Sequence, residues 1–242
     1  MKLIVFVALS ALLAPFSAVW ADEAEIEHIE KMLAERLPNI EVTNIQASPV
    51  KGVYELVSDG QIYYVSADGA YIFDGDLIDM AERRNLTTER KGSLHLELIN
   101  SVSEDNMLVY NTPDDSDRAI TVFTDVSCGY CRKLHAELDE LLDGGVKVRY
   151  LMFPRAGIGS QAHKDLESVW CADNPQEAMT TAKSGGSVMP ASCENPIESH
   201  VALAEKVGLR GTPLIYLDNG QMIPGYRSAA ELVKMIQTSE PM

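Results

Sequence analysis

The chain has 242 residues, and its 20 Lys and Arg against 36 Asp and Glu give a formal net charge of −16. Nucleic-acid binding requires clustered basic side chains, so this balance argues against a nucleic-acid partner. The acidity instead indicates a solvated, soluble surface, and the length is sufficient for one or two domains.

The first 21 residues have the pattern of a secretory signal peptide. Lys2 precedes a long apolar run, and acidic Asp22 follows it directly. A membrane anchor is the alternative, because the run is about as long as a short transmembrane span. Pro15 interrupts the run and no basic stop-transfer cluster follows. We therefore expect cleavage near Ala21, export of the chain, and no membrane insertion of the mature protein.

Residues 22–76 have the pattern of one helix followed by a small antiparallel meander. Apolar residues recur at helical spacing over residues 22–37, and Pro38 ends the helix. Short strand-like runs follow at 53–57, 62–65 and 70–73, with a further strand expected at 40–45. Asp-Gly pairs, which are typical of hairpin turns, separate the last three runs. A unit this small buries a modest core and leaves its sheet edges open, so we expect a dimerisation domain.

Residues 77–105 are rich in charged and helix-forming side chains. Leu94, Leu98 and Val102 recur at helical spacing, and Gly92 weakens the middle of the segment. This pattern predicts a helical linker between two domains.

Residues 106–242 begin with a pattern of strand, helix and strand. An apolar strand at 119–123 is followed by a helix whose leucines share one face, and then by a second strand at 146–153. This order implies a parallel strand pair with a right-handed crossover. The other predicted elements are an irregular helical segment at 156–208, strands at 214–217 and 222–223, and a helix at 228–237.

The chain contains four cysteines, and an even number in an exported protein predicts disulfides. Three pairings are possible. The short spacing between Cys128 and Cys131 favours that pair and leaves Cys171 with Cys193. The second pair closes a longer loop within the helical segment. We expect it to be structural and to contribute about 3 kcal/mol.

Cys128 is expected at a strand-to-helix turn, with Cys131 one turn inside the helix. Backbone N–H groups at a helix N-terminus favour a thiolate, so we expect a lowered pKa for Cys128. Cys131 is expected to be less exposed, with a pKa close to ordinary. One nucleophilic thiolate and one resolving thiol form the arrangement that thiol–disulfide exchange requires.

Other uses of two cysteines at this spacing fit less well. A haem attachment site needs histidine directly after the second cysteine, where this chain has Arg132. His135 is therefore expected to be a polar helix residue. A four-cysteine zinc site usually has a second close pair, which Cys171 and Cys193 do not form. A purely structural Cys128–Cys131 disulfide closes too short a loop to stabilise the fold much.

Several short motifs accompany this cysteine pair. They are Phe123-Thr124-Asp125, Cys128-Gly129-Tyr130-Cys131, Lys133-Leu134-His135 and Gly211-Thr212-Pro213. From the residues alone, the Thr212–Pro213 bond is expected to be an ordinary trans bond at the start of a strand. Combined with the N-terminal module, the linker and the second cysteine pair, these motifs resemble the DsbC/DsbG family of periplasmic disulfide isomerases. The resemblance covers nearly the whole mature chain.

The resemblance implies a mixed α+β and α/β fold. Its parts are a cystatin-like N-terminal dimerisation domain, a helical linker, and a thioredoxin-like domain with a helical insertion. Cys128 and Cys131 would be the redox-active pair, with Gly129 and Tyr130 tuning their redox poise. Pro213 would be cis and would face Cys128, and Thr212 would offer backbone groups to an extended substrate.

The resemblance also implies partners. The N-terminal domains would pair into a V-shaped homodimer whose cleft holds misfolded, disulfide-containing exported proteins. An inner-membrane reductase of the DsbD type would keep the active cysteines reduced. No cofactor and no metal are expected.

The expected activity is the reshuffling of wrong disulfides in the periplasm, with accompanying chaperone activity. A DsbG-like reductase of oxidised cysteines is an alternative, although such proteins carry proline between the two cysteines. An oxidase is another, but it would usually be monomeric. The alternative from a different class is a dimeric chaperone whose redox activity is secondary.

Overall fold

A computed structural model of the chain describes residues 17–239, with the backbone alone for residues 17–22. The described residues divide into two compact units, the first ending at Gly75 and the second beginning at Asp76. Residues 1–16 of the predicted signal peptide lie outside the described residues. Within the described part of the chain, no helix combines the length and the apolar character needed to cross a membrane.

The first unit packs one helix against a four-stranded antiparallel sheet. Its elements are α1 Ser17–Arg36, β1 Val42–Ala47, β2 Val53–Ser58, β3 Gln61–Ser66 and β4 Ile72–Phe73, and the strand order follows the chain. Ile29 and Leu33 on α1 bury against Tyr54, Leu56 and Val65 of the sheet. This matches the predicted helix and meander.

The turn between β2 and β3 shows why the Asp-Gly signal was informative. Asp59 and Gly60 both have positive φ, 53° and 72°, and Ser58 pairs directly with Gln61. A two-residue turn of this kind matches the twist of the strands it joins, and Asp-Gly adopts it readily. The turn therefore fixes the register that places Leu56 in the core.

The strands of the second unit are β5 Ile78–Asp79, β6 Arg84–Asn85, β7 Leu108–Tyr110, β8 Ala119–Thr124, β9 Lys147–Met152, β10 Leu214–Leu217 and β11 Met222–Pro224. Five of them form one sheet with the strand order β11-β10-β8-β9-β7. The helices of this unit are α2 Leu86–Asn100, α3 Gly129–Ala136, α4 Leu138–Asp143, α5 Gln161–Trp170, α6 Pro175–Lys183, α7 Ile197–Lys206 and α8 Ala229–Thr238. Strands β5 and β6 form a separate two-stranded ladder.

The central strand β8 is buried along its whole length. It runs parallel to β9, which confirms the predicted parallel pair, and antiparallel to β10. Ile120 and Val122 belong to one apolar cluster, whereas Phe123 belongs to another. Successive side chains of a strand point to opposite faces, so apolar cores cover the sheet on both sides.

The predicted helical linker is shorter than its sequence pattern suggests. Helix α2 begins at Leu86, because the Asn85 side chain caps it by accepting the Thr88 N–H at 2.9 Å. The residues before it form the β5–β6 ladder, so the helix does not extend over 77–105. The Thr87 hydroxyl accepts the Leu77 N–H at 2.7 Å and fixes this entry to the helix.

Gly92 has a packing role that its helix propensity conceals. A Cβ added at Gly92 would overlap the carbonyl oxygen of Gly220, so only glycine lets α2 approach the turn before β11 this closely. Farther along α2, Ile99 is fully buried in a cluster with Phe123 and Tyr216. Helix α2 is therefore part of the core of the second unit.

The helix predicted after the cysteine pair is interrupted. Glu137 separates α3 from α4, and its carboxylate accepts the Tyr226 hydroxyl at 2.5 Å and the Ala229 N–H at 2.8 Å. Ala229 begins α8, so the break is held by a hydrogen bond to the N-terminus of a helix that lies 92 residues further along the chain. The spacing of apolar residues along a helix does not predict a contact with a residue so far away in the sequence.

Candidate active site

Cys128 lies between the end of β8 and the first turn of α3. It is the N-cap residue of α3, and its carbonyl accepts the Arg132 N–H at 3.0 Å. Cys131 follows in the first helical turn, and both cysteines are free and buried. Cys171 and Cys193 form a disulfide with a Cα–Cα distance of 5.7 Å, so the four cysteines divide into one free pair and one bonded pair.

The loop before β10 faces Cys128. The Thr212–Pro213 bond is cis, in contrast to the trans bond expected from the residues alone. That expectation rested on the general predominance of trans X-Pro bonds, which takes no account of the surrounding tertiary structure. The Cys128 thiol donates to the Thr212 carbonyl at 3.2 Å. Among the described residues, the buried Thr212 hydroxyl has no hydrogen-bond partner.

The two free thiols differ in their electrostatics. Burial raises the pKa of Cys128. The thiolate, however, can accept hydrogen bonds from the Thr212 side chain and from the Cys131 and Tyr130 N–H groups, and these outweigh burial and lower the pKa overall. For Cys131, burial dominates and the pKa is raised. The pKa of Cys131 is thus higher than the ordinary value expected from the sequence. The thiolate is concentrated on Cys128.

A buried carboxylate organises the loop that precedes Cys128. Asp125 is fully buried, and its Oδ1 accepts both the N–H and the hydroxyl of Ser127 at 2.7 Å. Its Oδ2 accepts the Arg155 N–H at 3.0 Å and Nε–H at 3.1 Å. Burial alone would raise the pKa of Asp125, but these bonds lower it overall. Asp125 therefore joins the loop after β8 to the loop after β9.

Arg132 holds the same loop from the helix side. Its Nε–H donates to the Val126 carbonyl at 2.7 Å. In the sequence analysis, Arg132 served only to exclude a haem attachment site. Its structural role depends on a carbonyl six residues earlier, and no sequence pattern marks that contact.

An aromatic surface lies beside the cysteine pair. Tyr130 is 64% exposed, and its ring stacks on Tyr226 with centroids 6.4 Å apart. The Lys133 ammonium lies 4.3 Å from the centre of the Tyr226 ring. Tyr226 was missed in the sequence because nearly a hundred residues separate it from Tyr130.

His135 is buried, contrary to the expectation of a polar helix residue. Its Nδ1 lies 3.0 Å from the Tyr150 hydroxyl, and its Nε2 lies 3.0 Å from the Thr180 hydroxyl. Burial lowers its pKa to about 4. Both ring nitrogens have partners, which is how the core accommodates a polar ring that its sequence neighbours had suggested would face water.

A sheet with a C-x-x-C pair at the start of a helix, facing a cis-proline loop, defines a thiol–disulfide oxidoreductase of the thioredoxin type. Two family models match the chain: the disulfide bond isomerase protein N-terminal domain over residues 17–88, and the thioredoxin-like domain over residues 109–240. The chain belongs to the DsbC family of thiol:disulfide interchange proteins.

Relatives support this membership along nearly the whole chain. The chain is 40% identical to the thiol:disulfide interchange protein DsbC of Salmonella typhimurium over 228 residues, covering 94% of this chain and 92% of that one. It is 36% identical to the DsbC of Escherichia coli over 236 residues, covering 97% and 96%.

Solved structures agree on the fold of part of the chain. A disulfide interchange protein from Neisseria gonorrhoeae has a TM-score of 0.52 and 26% identity, covering 58% of this chain and 100% of that one. The thiol-disulfide exchange protein alpha-DsbA2 of Wolbachia pipientis has a TM-score of 0.50 and 16% identity, covering 62% and 94%. The second likeness concerns the fold alone.

Proposed function

We propose that this protein is a periplasmic disulfide isomerase in which Cys128 attacks substrate disulfides and Cys131 resolves the product. These roles are supported by the position of Cys128 at the N-terminus of α3, facing the Thr212 carbonyl at 3.2 Å, together with a lowered pKa for Cys128 and a pKa raised by burial for Cys131. A thiol that ionises readily at a helix N-terminus can act as the attacking nucleophile. A neighbouring thiol that stays protonated does not compete for the substrate and can act later as the resolving thiol.

The reaction begins when the Cys128 thiolate attacks one sulfur of a wrong disulfide. A mixed disulfide forms, and the second substrate sulfur leaves as a thiolate. That thiolate can attack another substrate disulfide and release a new substrate thiolate. The new thiolate attacks the substrate sulfur of the mixed disulfide and displaces Cys128, so the substrate leaves reshuffled without net oxidation or reduction. If this release stalls, Cys131 attacks Cys128, the substrate leaves reduced, and a Cys128–Cys131 disulfide remains.

The Thr212 hydroxyl has a specific part in the first step. In the thiol state, Cys128 donates to the Thr212 carbonyl and the buried hydroxyl is unpaired among the described residues. Once Cys128 is ionised, the sulfur accepts hydrogen bonds, and the Thr212 hydroxyl and the Cys131 thiol are the side-chain donors that favour this state, Thr212 with the larger effect. Thr212 and Pro213 are also proposed to bind an extended substrate, together with Gly129 and Tyr130 of the active-site motif.

The first unit is proposed to pair with a second copy. Tyr71, Ile72 and Phe73 are exposed at the β4 edge of its sheet, and Phe73 is 52% exposed. An exposed apolar edge strand is a template for pairing with another chain. In this proposal residues 22–76 form the dimerisation domain and 106–242 the catalytic domain. Residues 77–105 form the linker, whose helix α2 packs on the core of the catalytic domain. Two catalytic domains then face the misfolded substrate.

The predicted signal peptide and the family support the proposed periplasmic location. An oxidising compartment supplies wrong disulfides, but the attacking thiol must itself be reduced. Each stalled turnover leaves Cys128 and Cys131 oxidised. We therefore propose a membrane reductase of the DsbD type as the partner that returns them to thiols.

The test is recovery of ribonuclease activity from a scrambled, multi-disulfide form. Reduced wild type is expected to restore activity, and Cys128→Ala is expected to restore none because the mixed disulfide cannot form. Exposed Ser192→Ala provides a matched control. If wild type fails but both proteins prevent aggregation of an unfolded client, the chain is a chaperone and the isomerase proposal is refuted.

A second variant tests the role of the first unit. Tyr71→Glu combined with Phe73→Glu places charges on the β4 edge and is expected to give a monomer in sedimentation. Refolding of scrambled ribonuclease is then lost, whereas simple dithiol reduction of insulin continues. Full isomerisation by the monomer would contradict the proposed need for pairing.

A further inference from the structure

Lys183 is a buried lysine that the reaction described so far does not use. It is the last residue of α6, within the disulfide-linked helical insertion, and only 4% exposed. Its Nζ donates to the Thr124 hydroxyl at 2.6 Å and to the Asp125 carbonyl oxygen at 3.3 Å. The ammonium also lies 5.5 Å from the centre of the Tyr150 ring.

None of these partners neutralises the ammonium. The contacts are a hydroxyl, a carbonyl and an aromatic face, while the carboxylate oxygens of Asp125 are occupied by Ser127 and Arg155. Within residues 23–239, no carboxylate is found at salt-bridge distance from Lys183. A buried charge without a counter-ion is costly, and burial lowers the pKa of Lys183 to about 8.

The anion that would balance this charge is a cysteine thiolate. Among the groups that favour the charged form of Lys183, Cys131 has the largest influence, ahead of Asp125 and Cys128. Conversely, the charge of Lys183 is the strongest influence opposing the effect of burial on Cys131. The Thr124 hydroxyl, which accepts from Lys183, also favours the Cys131 thiolate through a hydrogen bond.

Several other ionisable groups surround this position. They are Cys128 at the N-cap of α3, Cys131, Arg132 and His135 in α3, Asp125 just after β8, and Tyr150 in β9. Arg155, from the loop after β9, binds the Asp125 carboxylate. Arg132 disfavours the charged form of Lys183, and the neutral His135 and Tyr150 bring no negative charge at neutral pH.

We propose that Lys183 is a positioning residue for the resolving step: its ammonium, acting through the Thr124 hydroxyl, stabilises the Cys131 thiolate that attacks the Cys128–substrate disulfide. This inference rests on the proposed function. It deepens that function by assigning control of substrate release to a side chain of the helical insertion.

The resolving step balances without a change in the charge of Lys183. Cys131 loses its proton to water, and its electron pair forms the bond to the Cys128 sulfur. The bond between Cys128 and the substrate sulfur breaks, and that electron pair leaves on the substrate, which takes up a proton. The cysteine pair is oxidised by two electrons and the substrate is reduced by two.

The first measurement is the ultraviolet thiolate absorbance of Cys131 against pH in a Cys128→Ser background. Lys183→Met removes the charge and keeps a long apolar side chain. We expect it to raise the pKa of Cys131 by about one unit, a roughly tenfold smaller thiolate fraction at neutral pH. Met179→Leu, a fully buried change on the same helix, is the control and is expected to leave the titration in place.

The second measurement uses chains with both active cysteines and oxidised glutathione. In Lys183→Met, release of glutathione from the mixed disulfide is expected to slow about tenfold, while formation of that disulfide changes less than twofold. A general loss of packing would alter both rates. Thr124→Val, which removes the bridging hydroxyl, is the second variant should Lys183→Met fail to fold, and it is expected to shift the same two readouts.

The possible results separate the two proposals. If the unsubstituted chain forms no mixed disulfide, the proposed function fails and the inference about Lys183 fails with it. If the unsubstituted chain forms and resolves the disulfide, but both variants titrate and release glutathione as it does, Lys183 has no part in resolution and the proposed function stands.

Discussion

His200 makes the stability of the second unit depend on pH. It is fully buried on α7, where its Nδ1 accepts the Met152 N–H at 3.0 Å and its Nε2 lies 2.7 Å from the Asn106 carbonyl oxygen. These partners assign the neutral form with the proton on Nε2. Protonation of Nδ1 would point an N–H group at a backbone N–H group that cannot turn away.

The size of the effect follows from the two pKa values. Burial lowers the pKa of His200 to about 4 in the folded protein, compared with about 6.5 in an unfolded chain. As the pH falls below 6.5, the unfolded chain binds the proton first, so the folded state loses stability until about pH 4. The total loss is about 3 kcal/mol, with a slope of about 1.4 kcal/mol per pH unit in the middle of this window. Buried His135, whose pKa is also lowered to about 4, acts in the same direction.

The assay is urea unfolding at several pH values between about 7 and 5, followed by the fluorescence of Trp170. We expect His200→Gln to be less stable than wild type at neutral pH by about 1 kcal/mol, because it loses hydrogen bonding. Its stability should nevertheless fall with pH less steeply, by up to about 1.4 kcal/mol per unit. Exposed His28→Gln, in the first unit, is the control and should keep the wild-type slope. Parallel slopes for wild type and His200→Gln would refute this account of the buried imidazole.

Two further predictions concern packing and the bonded cysteine pair. Glycine to alanine usually stabilises a helix by about 1 kcal/mol, but Gly92→Ala is expected to destabilise by about 2 kcal/mol because its methyl group overlaps the Gly220 oxygen. Thermal melting would reveal the sign, with Gly75→Ala, where nothing lies within 4 Å, as the control; a raised melting temperature for Gly92→Ala would contradict the close packing. Replacing Cys171 and Cys193 together by alanine removes a bond across a separation of 22 residues and is expected to cost about 3 kcal/mol in chemical unfolding. An unchanged unfolding midpoint would show that the disulfide does not stabilise the native state.

Local patterns predicted most of the elements because those elements follow local rules. Alternating and continuous apolar runs identified β2, β3, β8 and β9, and the Asp59-Gly60 pair marked a turn whose φ values are both positive. The start of α2 was missed, although Asn85 is a typical cap, because the charged residues before it suggested a longer helix. Composition alone did not distinguish a helix from the β5–β6 ladder.

The remainder of the site depends on contacts between distant residues. The two central cysteines were identified from their spacing, but the partners that set their surroundings come from other elements. Lys183 reaches Thr124 across 59 residues, and Tyr226 reaches Glu137 across 89. Neither Lys183 nor Tyr226 belongs to a motif. The Asp125-x-Ser127 spacing is the one local signal that was available, since aspartate often accepts an N–H two residues ahead.

The buried Asp125 carboxylate has a consequence for which disulfides are attacked. Because it joins two loops, the backbone that carries Cys128 is already held in place before any client arrives. When the mixed disulfide forms, it is then almost entirely the client segment, and not the enzyme loop, that loses conformational entropy. A disulfide in a frayed or unfolded segment reaches the required alignment at many moments, whereas one inside a packed domain does so only after local unfolding. Client segments are therefore sorted by their own mobility, with no need for the enzyme to recognise a sequence.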